Sequence, residues 1–382
     1  MPVITTTDEL ARFCAAQAEA DFITVDTEFM RERTYWSRLC LAQIGGPMEA
    51  VAVDPLAEGI DLAPLHALLE NPRVLKVFHA ARQDVEIFVH ATGRVPMPMV
   101  DTQVMAMVCG FGDSASYETL VAQLTGERLD KGSRFTDWAR RPLTPRQVEY
   151  ALGDVTHLRR VYVELAARIA RLGRETWLQD DMAALTDPRT YTSDPEEIWK
   201  RLKFKADKPR ALALIRALAI WREREAQRLN VPRGRVLKDE ALMEIVHHAP
   251  KTVDELAHVR GLNGGFAEGR AGATVLEVLA EAQALPSSAC PPREPRRVLP
   301  QGAAATLDLL KVLLHHVSDE KGVAARLIAS SDDLEAFVAD ASDVRFLTGW
   351  RREMFGEQAL ALKSGALAVS VRDGRIVTCP VG

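Results

Sequence analysis

The sequence predicts a mixed α/β domain followed by two largely helical regions. Short apolar, β-branched runs joined by turns occur early in the chain, whereas helical patterns dominate after about residue 190. Proline-containing breaks near residue 190 and at 285–298 indicate domain boundaries. The length of 382 residues suggests two or three domains, and a hydrophobic content of 47% is enough for more than one core.

The first region begins with a helix and three strands and continues with alternating strands and helices. A capped helix at 5–20 precedes three strand patterns with short links, which predict an antiparallel set. The later alternation predicts βαβ units, and together they predict a mixed sheet with helices on its faces. The predicted strands are 22–29, 37–45, 49–54, 74–78 and a strand end at 100–102, and the later helices are 61–70, 80–92, 102–109, 116–125 and 144–171.

The rest of the chain reads as helical. Helices are predicted at 194–204, 208–229, 238–248, 272–284 and within 303–362, and weak alternation at 366–381 predicts a hairpin around Asp373-Gly374. The two helical units are similar in length, which suggests a diverged tandem repeat. We therefore predict domains at 1–190, 194–284 and 299–382, with a proline-rich linker at 285–298.

Charge is distributed unevenly along the chain, whose net charge is −5. Residues 1–175 hold 19 Lys/Arg and 24 Asp/Glu, whereas residues 200–238 hold 13 Lys/Arg and 3 Asp/Glu. A basic segment attached to an acidic half suggests a polyanionic partner. A solvated helix face is an equally good interpretation of the basic run.

Cysteine usage and hydropathy predict a soluble cytoplasmic protein. The five cysteines form no Cys-x-x-Cys pair, which argues against a zinc or disulfide framework. Reduced thiols fit a cytoplasm. The sequence shows neither a signal-peptide pattern at its start nor an apolar run long enough to span a bilayer.

Two acids, Asp26 and Glu28, lie in the apolar run Phe22–Phe29. Side chains two residues apart on a strand point to the same face. Like charges on one face of a buried strand repel each other, so a divalent metal between them would stabilise the pair. For this run taken alone, an edge strand with two solvated acids is the alternative.

Further acids occur downstream at positions suited to the same site. Asp84 lies early in the helix that follows strand 74–78, and strand-to-helix crossings are where α/β sheets place their sites. A surface acid near a helix N-terminus is the alternative. Tyr150 and Asp154 are four residues apart, so they share one helix face and could hold a metal and a water together. A core tyrosine bonded to a nearby acid is the alternative there.

Three stretches resemble the exonuclease motifs of the DEDD superfamily in its tyrosine-containing branch. They are Val25-Asp-Thr-Glu-Phe29, Leu75-Lys-Val-Phe-His-Ala-Ala-Arg-Gln-Asp84 and Tyr150-Ala-Leu-Gly-Asp154. Flanking stretches are similar to the bacterial ribonuclease D family, namely 33–44, 100–102, 129–138 and 141–144. Residues 210 to about 282, with Asn230-Val-Pro232 and Val236-Leu-Lys-Asp239, resemble an HRDC domain, a helical nucleic-acid-binding module. The resemblance is specific over roughly 1–285 and weak beyond it.

The resemblance implies a ribonuclease-H-like exonuclease fold followed by two HRDC-type domains. It also implies a 3′-to-5′ exoribonuclease that trims RNA 3′ ends, including those of tRNA precursors, and releases nucleoside 5′-monophosphates. Carried over position by position, the catalytic residues are four metal ligands and a tyrosine that orients water, namely Asp26, Glu28, Asp84, Asp154 and Tyr150. All five are present, so nothing in the sequence suggests an inactive enzyme.

The implied chemistry is two-metal phosphodiester hydrolysis with Mg²⁺ or Mn²⁺, which oxygen-only ligands suit. In this hypothesis Asp26 bridges both ions. Glu28 and Asp154 complete one metal position, and Asp84 holds the second ion. Without metal the four acids repel one another, which predicts raised pKa values.

Two other functions stay open at this stage. A DNA exonuclease uses the same acids, and a non-catalytic RNA-binding scaffold would use the HRDC region. Discrimination between RNA and DNA depends on contacts to the 2′-hydroxyl, which the sequence does not reveal. The expected partner is RNA with a single-stranded 3′ end, and the expected state is a monomer. Weaker candidates for substrate contact, each with a structural alternative, are His79, Lys76, Phe29, Tyr35, Trp36, Lys203, Lys205, Arg222 and Arg235.

Overall fold

A computed structural model describes residues 3–381 except 130, 131, 133–135, 193, 205, 207, 293–299 and 301. The chain forms two compact units. Unit 1 comprises Met1–Glu28, Cys40–Pro188 and Arg296–Gly382, and unit 2 comprises Phe29–Leu39 and Arg189–Pro295. The predicted candidate Lys205 and residues 293–298 of the predicted linker lie outside the described residues.

The amino-terminal part of unit 1 is built on a mixed sheet. Its strands are β1 (Val3–Ile4), β2 (Phe22–Met30), β3 (Arg38–Gly45), β4 (Ala50–Val53), β5 (Leu75–Phe78) and β6 (Met99–Asp101). Its helices are α1 (Thr7–Gln17), α2 (Ala63–Glu70), α3 (Arg82–Thr92), α4 (Thr102–Val108), α5 (Tyr117–Thr125), α6 (Pro145–Leu172) and α7 (Gln179–Thr186).

The strands are ordered β1-β4-β3-β2-β5-β6. β4 pairs parallel with β1 and antiparallel with β3, whereas β5 pairs parallel with β2 and with β6. Parallel pairing places the end of β5, from which α3 follows, beside the middle of β2. The predicted mixed sheet is confirmed. β1 was not predicted because two residues carry no readable period.

Lys76 on β5 is fully buried and is held by backbone carbonyls. Its Nζ donates hydrogen bonds to the carbonyl oxygens of Asn71 and Val74 at 2.8 Å each and of Met97 at 2.5 Å. Three N–H donors therefore meet three acceptors inside the protein. The sequence suggested a phosphate contact or a strand-end charge for Lys76, and neither interpretation describes this structural role.

Replacement of Lys76 by methionine is expected to destabilise unit 1. The variant keeps the buried aliphatic chain but leaves three carbonyl groups without their donor, at a cost of roughly 3 kcal/mol or more. Denaturant unfolding measures the change in the free energy of unfolding. Lys203→Met, at an exposed position, is the control and should stay within about 0.5 kcal/mol of the wild type. Equal stability of the two variants would contradict the buried role.

The carboxy-terminal part of unit 1 is helical and ends in a hairpin. Its helices are α14 (Ala303–Lys321), α15 (Ala325–Ile328), α16 (Ser331–Val338), α17 (Gly349–Arg351) and α18 (Glu357–Ser364), with a π-helical turn at Arg352–Gly356, and its strands are β7 (Leu367–Arg372) and β8 (Arg375–Pro380). Asp373 and Gly374 join β7 and β8 with φ angles of 52° and 73°. Two positive φ angles are typical of a type I′ hairpin turn, so the predicted hairpin is confirmed.

This carboxy-terminal part shares one hydrophobic core with helices that follow the sheet. Buried side chains of α4, α5 and α6 belong to the same cluster as those of α14 to α18, among them Met105, Leu120, Leu165, Leu310, Leu313, Phe346 and Phe355. A core of this kind is continuous, so the two parts of unit 1 stabilise each other.

A stack of four side chains joins the two parts of unit 1. The rings of Trp177 and Trp350 lie parallel with centroids 4.2 Å apart. The guanidinium groups of Arg174 and Arg351 cover the outer ring faces at 4.6 and 4.5 Å. Arg351 is 4% exposed and bonds the carboxylates of Asp180 and Asp181. Cations over tryptophan faces are favourable, most of all when they are shielded from water.

Unit 2 is helical. Its helices are α8 (Pro209–Leu229), α9 (Arg233–Val236), α10 (Asp239–His248), α11 (Val253–Ala257), α12 (Gly264–Glu268) and α13 (Arg270–Ala284). Leucine, isoleucine and valine side chains of α8, α10 and α13 form its core, including Leu218, Leu242, Ile245, Val275 and Leu279. The short helices α11 and α12 were not predicted because each spans little more than one turn. Over the described ranges, every helix of the chain is too short or too polar to cross a bilayer.

Candidate active site

Three carboxylates meet at the centre of unit 1. Asp26 and Glu28 project from the middle of β2, and Asp154 projects from α6. One oxygen atom of each lies within 4.8 Å of the others. All three side chains are half-buried. The structure thus brings together two stretches of sequence that local patterns predicted separately.

Asp84 lies beside this three-carboxylate group and is held by β2. It occupies the first turn of α3 and is 7% exposed. Its Oδ1 accepts a hydrogen bond from the hydroxyl of Thr27, the residue between Asp26 and Glu28. Thr27 was not predicted as a site residue, because a threonine on a strand is ordinary.

The position of Asp154 is set by contacts between α6 and the sheet. The helix begins with a capping box of Thr144 and Gln147. The hydroxyl of Thr24 on β2 lies 2.7 Å from the carbonyl oxygen of Val155. A Cβ atom on Gly45 would lie 2.4 Å from that hydroxyl oxygen, so glycine is required where β3 passes the helix.

Arg159 adds a second link between α6 and the sheet. Its NH1 donates to the carbonyl oxygens of Phe22 at 3.1 Å and Gly45 at 2.9 Å. The guanidinium group also lies 4.1 Å from the centroid of the Phe22 ring. Together with Thr24, it holds the helix that carries Asp154 against the strand that carries Asp26.

Asp101 organises the turn that leads into α3. Its carboxylate accepts hydrogen bonds from the backbone N–H groups of Ala80 and Ala81 at 2.9 Å and of Gln103 at 2.8 Å. Ala80 has a φ of 55°, which a non-glycine residue rarely adopts. Asp101 therefore stabilises the turn before Asp84. An aspartate at a strand end before a helix is an N-cap signal in the sequence.

Tyr117 and His79 line the same region. The hydroxyl of Tyr117 donates to the backbone carbonyl of Asp154, and its ring lies 5.3 Å from the His79 ring. Thr102 donates its hydroxyl proton to the carbonyl of Phe78, so Nδ1 of His79 donates to the Thr102 oxygen at 2.9 Å. Tyr117 was missed from sequence because its contact spans 37 residues.

Tyr150 lies one turn before Asp154 on α6, as the spacing predicted. Its ring centroid is 6.1 Å from that of Trp138, whose side chain is buried. The indole ring of Trp138 thus packs near the Tyr150 ring. Tyr150 itself is half-buried.

Burial and mutual repulsion raise the pKa values of the acids. Burial raises the pKa of Asp26 to about 6. Burial, followed by the charges of Asp26, Asp154 and Asp84, raises the pKa of Glu28 to about 9. The pKa of Asp84 lies above its usual range for the same reasons, although the Thr27 hydrogen bond opposes the shift. Burial lowers the pKa of His79 to about 4, so its imidazole is neutral.

Metal-free protein is expected to lose stability as the pH rises. The folded-state pKa values of Asp26 (about 6) and Glu28 (about 9) lie above the ordinary values of 3.8 and 4.5. Between those limits the folded state keeps protons that the unfolded chain has released, so the free energy of unfolding falls with rising pH. In EDTA this loss should extend from about pH 4 to about pH 9.

Glu28→Gln isolates this contribution, because glutamine does not ionise. In EDTA the variant should match the wild type at about pH 4 or below and exceed its unfolding free energy at pH 9 by at least about 1 kcal/mol, the value of roughly one pKa unit. Denaturant unfolding at both pH values measures the difference. Parallel pH profiles for the two proteins would contradict the raised pKa of Glu28.

The weaker sequence candidates divide into buried and exposed groups. Tyr35 is 8% exposed and packs inside unit 2, which favours the core interpretation. Arg222 is 3% exposed and bonds Asp239 at 2.6 Å, so its interpretation as an RNA contact is wrong. Lys203 and Arg235 are exposed and stay predictions.

Two family models match the chain. The model described as 3′-5′ exonuclease matches residues 1–170, and the model described as HRDC domain matches residues 211–279. The first range contains all five predicted site residues. The second range lies inside unit 2.

Relatives match over nearly the whole chain. Ribonuclease D of Nitrobacter hamburgensis is 52% identical over 378 residues and is matched over 99% of both chains. Ribonuclease D of Gluconacetobacter diazotrophicus is 50% identical over 379 residues, covering 99% of this chain and 96% of the relative. The crystal structure of Escherichia coli RNase D, an exoribonuclease involved in structured RNA processing, aligns with a TM-score of 0.81 at 31% identity, covering 95% of this chain and 98% of that one. The chain therefore belongs to the ribonuclease D family of 3′-to-5′ exoribonucleases and carries an HRDC domain.

Proposed function

We propose that this chain trims RNA 3′ ends by two-metal-ion hydrolysis and releases nucleoside 5′-monophosphates. The observation that carries the proposal is the gathering of Asp26, Glu28 and Asp154 within 4.8 Å, next to the buried carboxyl of Asp84. Four acids so placed are unfavourable in a protein unless cations or protons compensate them.

The side chains of the site fit Mg²⁺ or Mn²⁺. All four proposed ligands are carboxylates, and hard divalent cations prefer oxygen donors. Two such ions would balance four negative charges. When bound, divalent ions lower the pKa of water and neutralise charge on the leaving oxygen.

Each site residue has a proposed role. Asp26 would contact both metal positions, because it belongs to the cluster with Glu28 and Asp154 and its charge also acts on Asp84. Glu28 and Asp154 would complete one position, and Asp84 would complete the other. Tyr150 hydrogen-bonds the attacking water and aims it at the terminal phosphorus, since it lies one helical turn from Asp154.

Tyr150→Phe is expected to lower kcat by about 10- to 100-fold and to leave KM nearly unchanged, because only the orientation of water is lost. Steady-state kinetics on a labelled oligoribonucleotide measure both constants. Tyr162→Phe is the matched control on the same helix, because the Tyr162 ring packs against Phe22 with centroids 4.7 Å apart. Equal kcat values for the two variants would contradict a role of Tyr150 in the chemical step.

A 3′-end degradation assay tests the proposed function directly. A 5′-labelled RNA with a single-stranded 3′ tail and its DNA counterpart are incubated with Mg²⁺, Mn²⁺ or EDTA, and Asp26→Ala serves as the inactive control. We expect a ladder that shortens from the 3′ end of the RNA only in the presence of metal and only with the wild type. Equal degradation of the DNA would support the proposed hydrolysis but would contradict the proposed restriction to RNA. Binding without shortening would favour a scaffold.

Precursors of tRNA are the proposed substrates. The E. coli relative acts in structured RNA processing, and this chain is 31% identical to it. A precursor with a short 3′ extension should be shortened to the end of its acceptor stem and then resist the enzyme. Degradation that continues into the folded tRNA would contradict a maturation role.

We also propose a monomeric cytoplasmic protein. All five cysteines are free, which suits a reducing compartment. Light scattering coupled to gel filtration tests the oligomeric state, and a mass near 42.2 kDa is expected. A mass twice that value would contradict the monomer.

The carboxy-terminal part of unit 1 is proposed to be a second, diverged HRDC-like domain. Its α14, α15 and α16 have 19, 4 and 8 residues, and α8, α9 and α10 of unit 2 have 21, 4 and 10. A left-handed residue ends the first helix in both sets, Gly322 with φ 56° and Asn230 with φ 50°. A valine follows each of them, and a repeat of this kind supports a duplicated module.

A further inference from the structure

The segment Phe29–Leu39 directly follows the strand residues that carry Asp26 and Glu28. Contacts place this segment in unit 2, although Glu28 belongs to unit 1. β2 itself runs from Phe22 to Met30 and therefore crosses from one unit into the other. The residue after Glu28 therefore already belongs to unit 2.

Tyr35 attaches the segment to a buried ion pair of unit 2. Its hydroxyl donates to the carboxylate of Glu223, which is 0% exposed and also receives both Nε and NH2 of Arg233. Gln227 donates to the Tyr35 oxygen at 3.2 Å, and the guanidinium group of Arg233 lies 5.3 Å from the Tyr35 ring centroid. Although burial alone would raise it, the pKa of Glu223 lies below its usual value because of these hydrogen bonds. Charge-assisted bonds in a dry site are strong and geometrically specific.

Asn230 provides the second attachment. Its Oδ1 accepts the backbone N–H groups of Tyr35 at 3.2 Å and Trp36 at 3.1 Å. Asn230 ends α8 in the left-handed region, where glycine costs least. The corresponding position after α14 is Gly322, so helix termination alone does not require an asparagine side chain.

We propose that Tyr35, Glu223, Asn230 and Arg233 form an anchor that positions Glu28 for metal binding. The inference rests on the proposed function, in which Glu28 is a metal ligand. The carboxylates of the site repel one another before metal binds, and a strand end with more freedom lets Glu28 move away from Asp26. Metal binding then has to restore the position of Glu28, which weakens the apparent affinity. The four anchor residues are positioning residues and do not touch the reacting atoms.

Asn230→Gly tests the anchor without disturbing the helix end. Glycine adopts the left-handed conformation readily, so the variant loses the two hydrogen bonds to Tyr35 and Trp36 and keeps the backbone. The Mg²⁺ dissociation constant of the RNA-free protein is measured by isothermal titration calorimetry, and the Mg²⁺ concentration that gives half-maximal exonuclease activity is measured on a labelled RNA. We expect both values to rise about three- to tenfold, the equilibrium effect of about one neutral hydrogen bond.

Ala249→Gly is the matched control. Ala249 also ends a helix of unit 2 in the left-handed region, with φ 46°, and it lies outside the anchor. The Mg²⁺ requirement of the Ala249→Gly variant should equal that of the wild type. Tyr35→Phe, which removes one hydroxyl, should shift the requirement in the same direction as Asn230→Gly.

The outcomes separate the anchor from the proposed function. If Asn230→Gly and Tyr35→Phe both stay within about twofold of Ala249→Gly while the wild type needs Mg²⁺, the anchor proposal is overturned and the metal site stands. If the wild type needs no divalent metal, or Asp26→Ala stays active, both the proposed function and the anchor proposal are overturned. A threefold or larger shift in the anchor variants alone supports the proposal.

Discussion

Asp154→Asn should lower exonuclease activity by roughly a thousandfold or more, while the protein stays folded. The carboxylate is one of three whose oxygens lie within 4.8 Å, so the substitution removes a proposed metal ligand and a charge from the site. Loss of metal-derived stabilisation of several kcal/mol corresponds to a rate change of this size. Single-turnover degradation of a labelled RNA at saturating Mg²⁺ measures the rate.

The control for this variant is Glu149→Gln, an exposed acid on the same helix. It should keep activity close to that of the wild type, because its charge does not belong to the cluster. In EDTA, Asp154→Asn should also be more stable than the wild type above neutral pH, since one source of repulsion on Glu28 is gone. Normal activity of Asp154→Asn at saturating Mg²⁺ would exclude Asp154 as a ligand.

Truncation after Pro295 should unfold the exonuclease part of the chain. The deleted residues form one core with α4, α5 and α6 and include the Trp350 partner of Trp177. Each large apolar side chain that loses its burial costs about 1.5–3 kcal/mol. Exposure of only a few therefore approaches the whole stability of about 5–15 kcal/mol that domains have.

Circular dichroism and thermal unfolding measure this effect. The truncated chain should lack a cooperative transition at the wild-type temperature and should have no exonuclease activity. A shorter truncation after Gly365, which removes the β7–β8 hairpin and none of the buried side chains of that core, should retain both. A folded, active protein that ends at Pro295 would show that the carboxy-terminal part is a separable module.

Interpretation of the basic run at 200–238 shows where sequence reasoning is weak. The run contains 13 basic residues, yet Arg216 and Arg224 both bond Glu196, and Arg228 bonds Glu225. Arg222 bonds the exposed carboxylate of Asp239, and Arg233 bonds the buried carboxylate of Glu223. Part of the apparent positive charge is therefore neutralised within unit 2. A local charge count does not include acids that folding brings in from elsewhere.

The features that were predicted correctly from the sequence depend on interactions between residues a few positions apart. Alternation with period 2 placed Asp26 and Glu28 on one side of a strand, and a spacing of four placed Tyr150 and Asp154 on one face of a helix. The Asp373-Gly374 turn followed from its residue types. These features depend on neighbours within a few positions, so a single sequence contains them.

Tertiary structure alone decided which distant groups meet. The Thr24 contact to Val155 spans 131 residues and sets the distance from Asp154 to Asp26. Lys76 and Arg222 are buried because folding surrounds them with carbonyls and a carboxylate, although charged residues are usually exposed. The attachment of Phe29–Leu39 to unit 2 likewise depends on Glu223 and Asn230, about 190 positions further along the chain. Burial and long-range pairing are properties of the folded chain, because they depend on which surfaces become adjacent and not on the order of residues within one element.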